Sequence, residues 1–181
     1  MKTAAAVLIA LFPLAAQTQV AKSVNPLNPP KAMRIALATF NELEKRCDGK
    51  LAAIGTANDP LDLLGSTRGV YLDNFGVVFT SELSLIVSPT INPFHQTITD
   101  KEKAQTHQRK IDRLPALKKV MREMMRVAAT TLIQIPESQQ IVFAVRLDYL
   151  KWEDTTGLPG LVIMRADRRS ALADNITEEL Q

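Results

Sequence analysis

The sequence is poor in the residues on which many specialised sites depend. It has one cysteine, Cys47, and two histidines, His95 and His107, among 181 residues. A single cysteine excludes an intramolecular disulfide. Zinc sites take three or four ligands at close spacings such as His-x₃₋₅-His or Cys-x₂-Cys, and the two histidines are twelve residues apart. We therefore expect no metal centre.

Motifs for catalysis and cofactor binding are also missing from the sequence. There is no glycine-rich phosphate loop and no Gly-x-Ser-x-Gly nucleophile motif. Cys47 falls at the predicted C-terminal end of a helix, whereas a reactive thiolate is favoured at a helix N-terminus and beside a histidine. We therefore interpret Cys47 as a buried structural residue and expect no cofactor.

Aromatic residues and excess charge are scarce. The chain has six phenylalanines, two tyrosines and one tryptophan, and its formal net charge is only +3. Nucleic-acid-binding proteins usually carry a strongly basic surface and often stack bases on aromatic side chains. The composition therefore argues against a nucleic-acid partner.

The longest apolar run lies at the start of the chain, from Ala4 to Ala16, and follows Lys2. A bilayer-spanning helix takes about 20 apolar residues, so the run is too short to cross a membrane. A positively charged N-terminus, a short apolar stretch and small residues at the cleavage site are typical of a secretory signal peptide. We predict a signal peptide over residues 1–16, with Ala21 as an alternative cleavage point, and a periplasmic or secreted protein without a transmembrane segment. An uncleaved anchor or a core helix is the alternative.

The remainder of the chain divides into a short leader and one domain. Residues 17–30 are polar and proline-rich, which predicts a flexible leader. Residues 31–181 match the usual size of a single domain. Within it, apolar spacing predicts a helix over 32–47 that ends at Asp48-Gly49, and a long helix over 101–135, either continuous or in two pieces around Pro115.

Alternating apolar residues predict strands on either side of the long helix. Residues 69–87 contain an Asp73-Asn74 turn and predict a hairpin, and residues 140–150 with 161–165 predict a second hairpin. Pro60 to Leu64 is interpreted as a short helical turn capped by Asp59, and 171–181 as a closing helix or a frayed tail. The fold class expected is α+β, with a mostly antiparallel sheet built from two hairpins and helices on one face.

One face of these strands should share a core with the long helix, because two period-2 faces match one helical stripe. The residues predicted to form this core are Phe79, Leu83, Phe143, Val145, Leu147, Leu117, Met121 and Met124.

Two surfaces are candidates for binding. Lys118, Arg122 and Arg126 recur at four-residue steps, so they share one side of the long helix and could meet an anionic envelope surface or a protein partner. Glu82, Arg146 and Asp148 fall on the polar face of their strands. If these strands are neighbours, Glu82 and Asp148 could converge for acid–base chemistry, although such a face is more often a solvated one with cross-strand ion pairs.

The sequence thus predicts an exported binding or interaction module of the cell envelope without catalytic activity. A hydrolase or transferase that uses the sheet-face carboxylates is the alternative, and a structural subunit of an envelope assembly is a third. The sequence leaves open whether the protein is an enzyme.

Overall fold

A computed structural model describes residues 35–181 of the chain. These residues lie within one compact unit. The predicted signal peptide (1–16) and leader (17–30) lie outside the described residues. None of the helices in 35–181 combines the length and the apolar composition that crossing a bilayer requires.

The described chain forms three helices and a six-stranded sheet. In chain order the elements are α1 (Leu37–Ala52), β1 (Asp62–Leu63), β2 (Arg68–Leu72), β3 (Gly76–Ser84), α2 (Asp100–Thr131), β4 (Gln140–Leu147), β5 (Leu161–Asp167), α3 (Arg168–Leu172) and β6 (Thr177–Leu180).

The sheet is mixed, and its strand order is β1-β3-β4-β5-β6, with β2 also paired to β3. The α+β class is confirmed, and both expected strand pairs, β2–β3 and β4–β5, are present and antiparallel. The central pair β3–β4 is parallel, and α2 makes the crossover between the two strands. A parallel pair needs such a long connection, and this pairing joins the two hairpins into one sheet.

The turn between β2 and β3 explains why the first hairpin forms where the sequence predicts it. Asn74 has φ 62° and Gly76 has φ 134°, backbone conformations that asparagine and glycine tolerate best. A Cβ atom on Gly76 would lie 1.9 Å from the carbonyl oxygen of Gln140. Glycine therefore allows β3 to start against β4 as well as to close the turn.

The predicted helices are present with different bounds. α1 continues through Asp48-Gly49 to Ala52, and the Asp48 carboxylate accepts hydrogen bonds from the backbone and the hydroxyl of Thr67. α2 is one helix with Pro115 inside it.

Three short segments differ from the sequence-based expectation. Residues 62–63 form β1, not a helical turn. Asp59, expected as a helix cap, is bound instead by the guanidinium groups of Arg109 and Arg113 on α2. The C-terminal residues form α3 and β6, where a helix or tail was expected.

The core lies between the helices and one face of the sheet, which we call the covered face. Phe79 of β3 stacks on Phe143 of β4 with ring centroids 4.6 Å apart, and Phe40 of α1 lies 6.1 Å from Phe79. All eight residues predicted to share a core belong to this one buried cluster, so the prediction is confirmed.

Candidate functional site

The three cations of the predicted basic row each have an acidic neighbour. Lys118 and Arg122 lie 2.7 Å and 3.9 Å from the carboxylate of Glu178, and Arg126 lies 4.0 Å from that of Asp174. Both acids come from the C-terminal segment around β6. Their charges oppose those of the row, which weakens the positive potential expected from the helix alone.

The structure brings two of the predicted sheet-face residues together. Glu82 and Arg146 are register partners on the parallel strands β3 and β4, and their charged atoms are 3.6 Å apart. Both side chains are substantially exposed, so the interaction is worth well under about 1 kcal/mol.

Asp148 is the third of the predicted sheet-face residues, and its backbone N–H donates to the carbonyl of Leu83 at 2.9 Å. It follows the end of β4 and lines a depression of about 190 Å³ together with Asp62, Ser84 and Ser88. Glu82 lines a different depression. Glu82 and Asp148 thus border different depressions, and their convergence on one substrate stays a prediction.

The sheet face opposite the core, which we call the open face, has an apolar centre. Alternation along each strand puts successive residues on opposite faces. The open-face residues are half-buried or exposed, apart from Gly76 and Ser84 at the two ends of β3. The apolar residues of the open face are Val70, Leu72, Val78, Val142, Ala144, Leu161 and Ile163.

Charged side chains surround this apolar centre. Arg68 and Arg146 line a shallow depression of about 320 Å³, with Thr80, Ala144 and Leu161 beside them. The two guanidinium groups are well exposed, at 77% and 68% of the side chain. The depression therefore offers hydrogen-bond donors next to apolar surface.

A buried polar cluster lies beneath that depression, and the sequence patterns did not predict it. The Thr67 hydroxyl donates to Asp48 at 2.6 Å and is 2.8 Å from the Ser81 hydroxyl. Cys47 is buried at the same place, and its burial raises the pKa of the thiol to about 11, although the nearby hydroxyls of Thr67 and Ser81 act to lower it. A thiol with that pKa stays protonated at neutral pH, which fits the structural interpretation of Cys47.

A second buried cluster ties α2 to the loop after β4. Lys110 forms an ion pair with Glu153, and their side chains are 1% and 2% exposed. The Lys110 ammonium also lies 4.7 Å from the centre of the Tyr149 ring. Burial raises the pKa of Tyr149 to about 12, with a further contribution from Glu153. The sequence held one signal for this site, because Lys110 lies seven residues before Leu117 on the apolar stripe of α2.

The two histidines occupy separate positions at the surface. His95 lies 3.2 Å from Glu102, and a ring nitrogen of His107 is 2.9 Å from the carbonyl of Asp154. Within residues 35–181, no group of three or more histidine, cysteine, aspartate or glutamate side chains is arranged to hold a metal ion.

The surfaces just described are the basis for any functional assignment. No family model, no curated protein and no solved structure matches this chain.

Proposed function

We propose that the chain is an exported, non-catalytic binding module of the cell envelope, and that the open face binds a protein partner. The observation that carries this proposal is the make-up of that face. An apolar centre surrounded by charged residues is the usual anatomy of a protein–protein interface. Here the centre is Val142, Ala144 and Ile163, and the surrounding charges include Arg68 and Arg146.

The distribution of charge favours a protein over an anionic lipid or polymer surface. On the open face Arg146 lies beside Glu82, and Arg165 lies 2.7 Å from Glu179. An anionic polymer would meet repulsion from these carboxylates, whereas a protein of mixed charge can match both signs. The basic row on α2 is likewise opposed by Glu178 and Asp174.

A hydrolase or transferase is the second candidate. Acid–base chemistry with two carboxylates needs both to lie beside one bond of the substrate, where one protonates the leaving group and the other activates the nucleophile. Glu82 faces Arg146, but Asp62 and Asp148 do line one depression together with the hydroxyls of Ser84 and Ser88. That depression, rather than the open face, is where a catalytic pair would lie.

Retention of envelope proteins on the immobilised protein tests the binding proposal. Ala144→Lys adds a charge to the centre of the open face, and the triple variant Lys118→Gln, Arg122→Gln, Arg126→Gln is the matched control on α2. We expect the wild type and the triple variant to retain the same protein, identified by mass spectrometry, and Ala144→Lys to lose it. Thermal unfolding of each variant separates lost binding from lost folding.

Other outcomes of this experiment decide against the proposal. Anionic vesicles and cell-wall fragments are tested in parallel at low and high salt, because screening weakens contacts between exposed charges. Salt-sensitive binding to either one that the triple variant loses would assign the interaction to the basic row. Hydrolytic activity abolished by Asp148→Asn would favour the enzyme.

The export part of the proposal has its own measurement. We expect the protein, expressed with an intact secretion system, to be recovered outside the cytoplasm with a new N-terminus at or near Gln17. An intact mass that includes Met1 in a membrane-bound fraction would contradict this expectation.

A further inference from the structure

Two carboxylates line the depression at the C-terminal ends of β3 and β4. Asp62 of β1 and Ser84 of β3 are register partners. Asp148 continues β4 on the other side of β3, where its backbone N–H donates to the carbonyl of Leu83. The Cα atoms of Asp62 and Asp148 are therefore about 10 Å apart, because two strand spacings separate them. The two carboxylates border the depression from either side of Ser84.

These two carboxylates lack a partner, unlike almost every other acidic side chain of the protein. Within the described chain, Asp62, Asp73 and Asp148 are the acidic residues whose carboxylate has neither a basic group within 4.0 Å nor a hydrogen bond. Arg146, two residues before Asp148, lies beside Glu82 instead. None of the described residues that line the depression is basic. The negative charge of this small space is therefore uncompensated, which favours a cationic ligand.

A hydroxyl group without a partner lies at the same depression. Ser88 is one of its lining residues, and the Ser88 Oγ atom is buried without a hydrogen-bond partner among the described residues. The Ser84 hydroxyl differs, because it donates to the carbonyl of Ile86 at 2.9 Å. Buried polar groups are almost always hydrogen-bonded, so an exception commonly marks the position of a water or a ligand. The Ser88 hydroxyl can accept a hydrogen bond from a ligand.

The remaining walls of the depression are apolar and favour an organic cation over a metal ion. These walls are Leu64, Ile86, Val87 and Leu150. A calcium ion takes roughly six to eight oxygen ligands, so it gains nothing from apolar walls. An aliphatic chain, in contrast, is stabilised when such walls remove it from water. The volume of about 190 Å³ suits a short chain.

We propose that this depression binds a short aliphatic diamine, with one ammonium group at Asp62, the other at Asp148 and the carbon chain against the apolar walls. Two cationic groups on one chain match two carboxylates on either side of one strand. An ammonium group has three donors and no acceptor, so one of the two can also donate to the Ser88 hydroxyl. The site goes beyond the proposed function, because it takes a small molecule and not a protein.

Isothermal titration calorimetry of the purified protein with butane-1,4-diamine tests the site. We expect binding that weakens as salt is raised, because salt screens exposed charges. Asp62→Asn and Asp148→Asn should each weaken binding tenfold or more, as the loss of a charged hydrogen-bond partner does. Butan-1-amine, which has a single ammonium group, should bind at least tenfold more weakly than the diamine.

Asp73→Asn is the matched control, because it removes the third unpaired carboxylate, in the turn between β2 and β3. Binding of the diamine to this variant should equal that of the wild type. No binding at millimolar diamine, or an equal loss in all three variants, would contradict the proposal. Calcium chloride is titrated in parallel, and binding of calcium without binding of the diamine would assign the depression to a metal ion and overturn the proposal.

Amide chemical shifts of the wild type locate the ligand without any substitution. Addition of butane-1,4-diamine should shift the resonances of Ser84, Ser88 and Leu150 most. The largest shifts at Arg68 and Ala144 would place the diamine in the depression of the open face instead and would contradict the proposal. Circular dichroism checks that each substituted protein is folded.

Discussion

The two faces of the sheet differ in what covers them and therefore in what they contribute. The covered face is apolar, closed by α1 and α2, and fully buried around Phe79 and Phe143. The open face alternates with it residue by residue, yet its apolar side chains remain half-buried and its charges remain in water. Neighbouring positions on one strand thus have different roles. Burial on the covered face stabilises the fold, and exposure on the open face leaves a surface for recognition.

The largest contrast should come from truncation of neighbouring residues on β4. Phe143→Ala removes a ring from the centre of the core and should lower the free energy of unfolding by about 3–5 kcal/mol. Val142→Ala, one position away on the open face, should cost about 1 kcal/mol or less. Denaturant unfolding measures both, and equal effects would show that the two faces are not distinct in energy.

The buried ion pair of Lys110 and Glu153 should affect stability much more than the exposed ion pairs of the open face. Lys110→Ala leaves the Glu153 carboxylate buried without its partner and should cost about 3 kcal/mol. Lys110→Met combined with Glu153→Leu should recover most of that loss, because an apolar pair can replace a buried ion pair. Thermal unfolding of the single and double variants measures this, and additive losses would contradict the explanation.

The buried thiol of Cys47 should make the free energy of unfolding depend on pH. The pKa of Cys47 is raised from 9.0 to about 11 in the folded state by its burial. Its contribution to stability is therefore complete below pH 9 and is lost as the pH rises through 11, because only the unfolded chain ionises in that window. The loss should reach about 2 kcal/mol at pH 11.

Cys47→Ala is the matched control for that pH dependence. Stability of this variant should fall less steeply than that of the wild type between pH 9 and 11. Identical slopes for the two proteins would contradict the expectation that the Cys47 thiol of the folded protein stays protonated between pH 9 and 11.

The smallest effect on stability is expected on the open face. Arg146→Gln removes one member of an exposed ion pair with Glu82 and should change the free energy of unfolding by less than about 1 kcal/mol. It should nevertheless reduce retention of the envelope partner, because the guanidinium lies in the proposed binding depression. A large loss of stability with unchanged binding would reverse the roles assigned to the two faces.

The sequence predicts much of the local structure because local patterns determine it. Alternation along Val77 and Phe79 marks β3, and the Asp73-Asn74 turn with Gly76 marks the hairpin. Three- and four-residue steps from Leu117 to Met124 mark the buried side of α2. Each of these patterns reports which face of an element avoids water.

The arrangement of the elements depends on distant partners and is harder to predict. Nothing local in Ile141 or Val145 shows that β4 lies parallel to β3 and not beside another strand. β1 and β6 are short, at two and four residues, so they carry little periodicity. The acidic neighbours of the basic row could not be foreseen for the same reason, because Glu178 reaches Lys118 only once β6 has joined the sheet.

The candidate site was predicted only in part. Proximity of Glu82 and Arg146 follows if their strands are neighbours, and they are. Arg68 in the depression and the buried Lys110 depend on packing between segments far apart in the sequence. A polar residue on an apolar stripe, as at Lys110, is nevertheless a usable signal.

The parallel pairing of β3 with β4 has a consequence for how the chain folds. Its partners, such as Gly76 and Gln140, are 64 residues apart, so the loop-closure entropy must be overcome before the central contacts of the sheet can form. The β2–β3 hairpin can form early by itself, but its apolar side and the edge of β3 stay exposed until α2 and β4 arrive. We therefore expect slow refolding, with aggregation through that unfinished edge as its main competitor at high protein concentration.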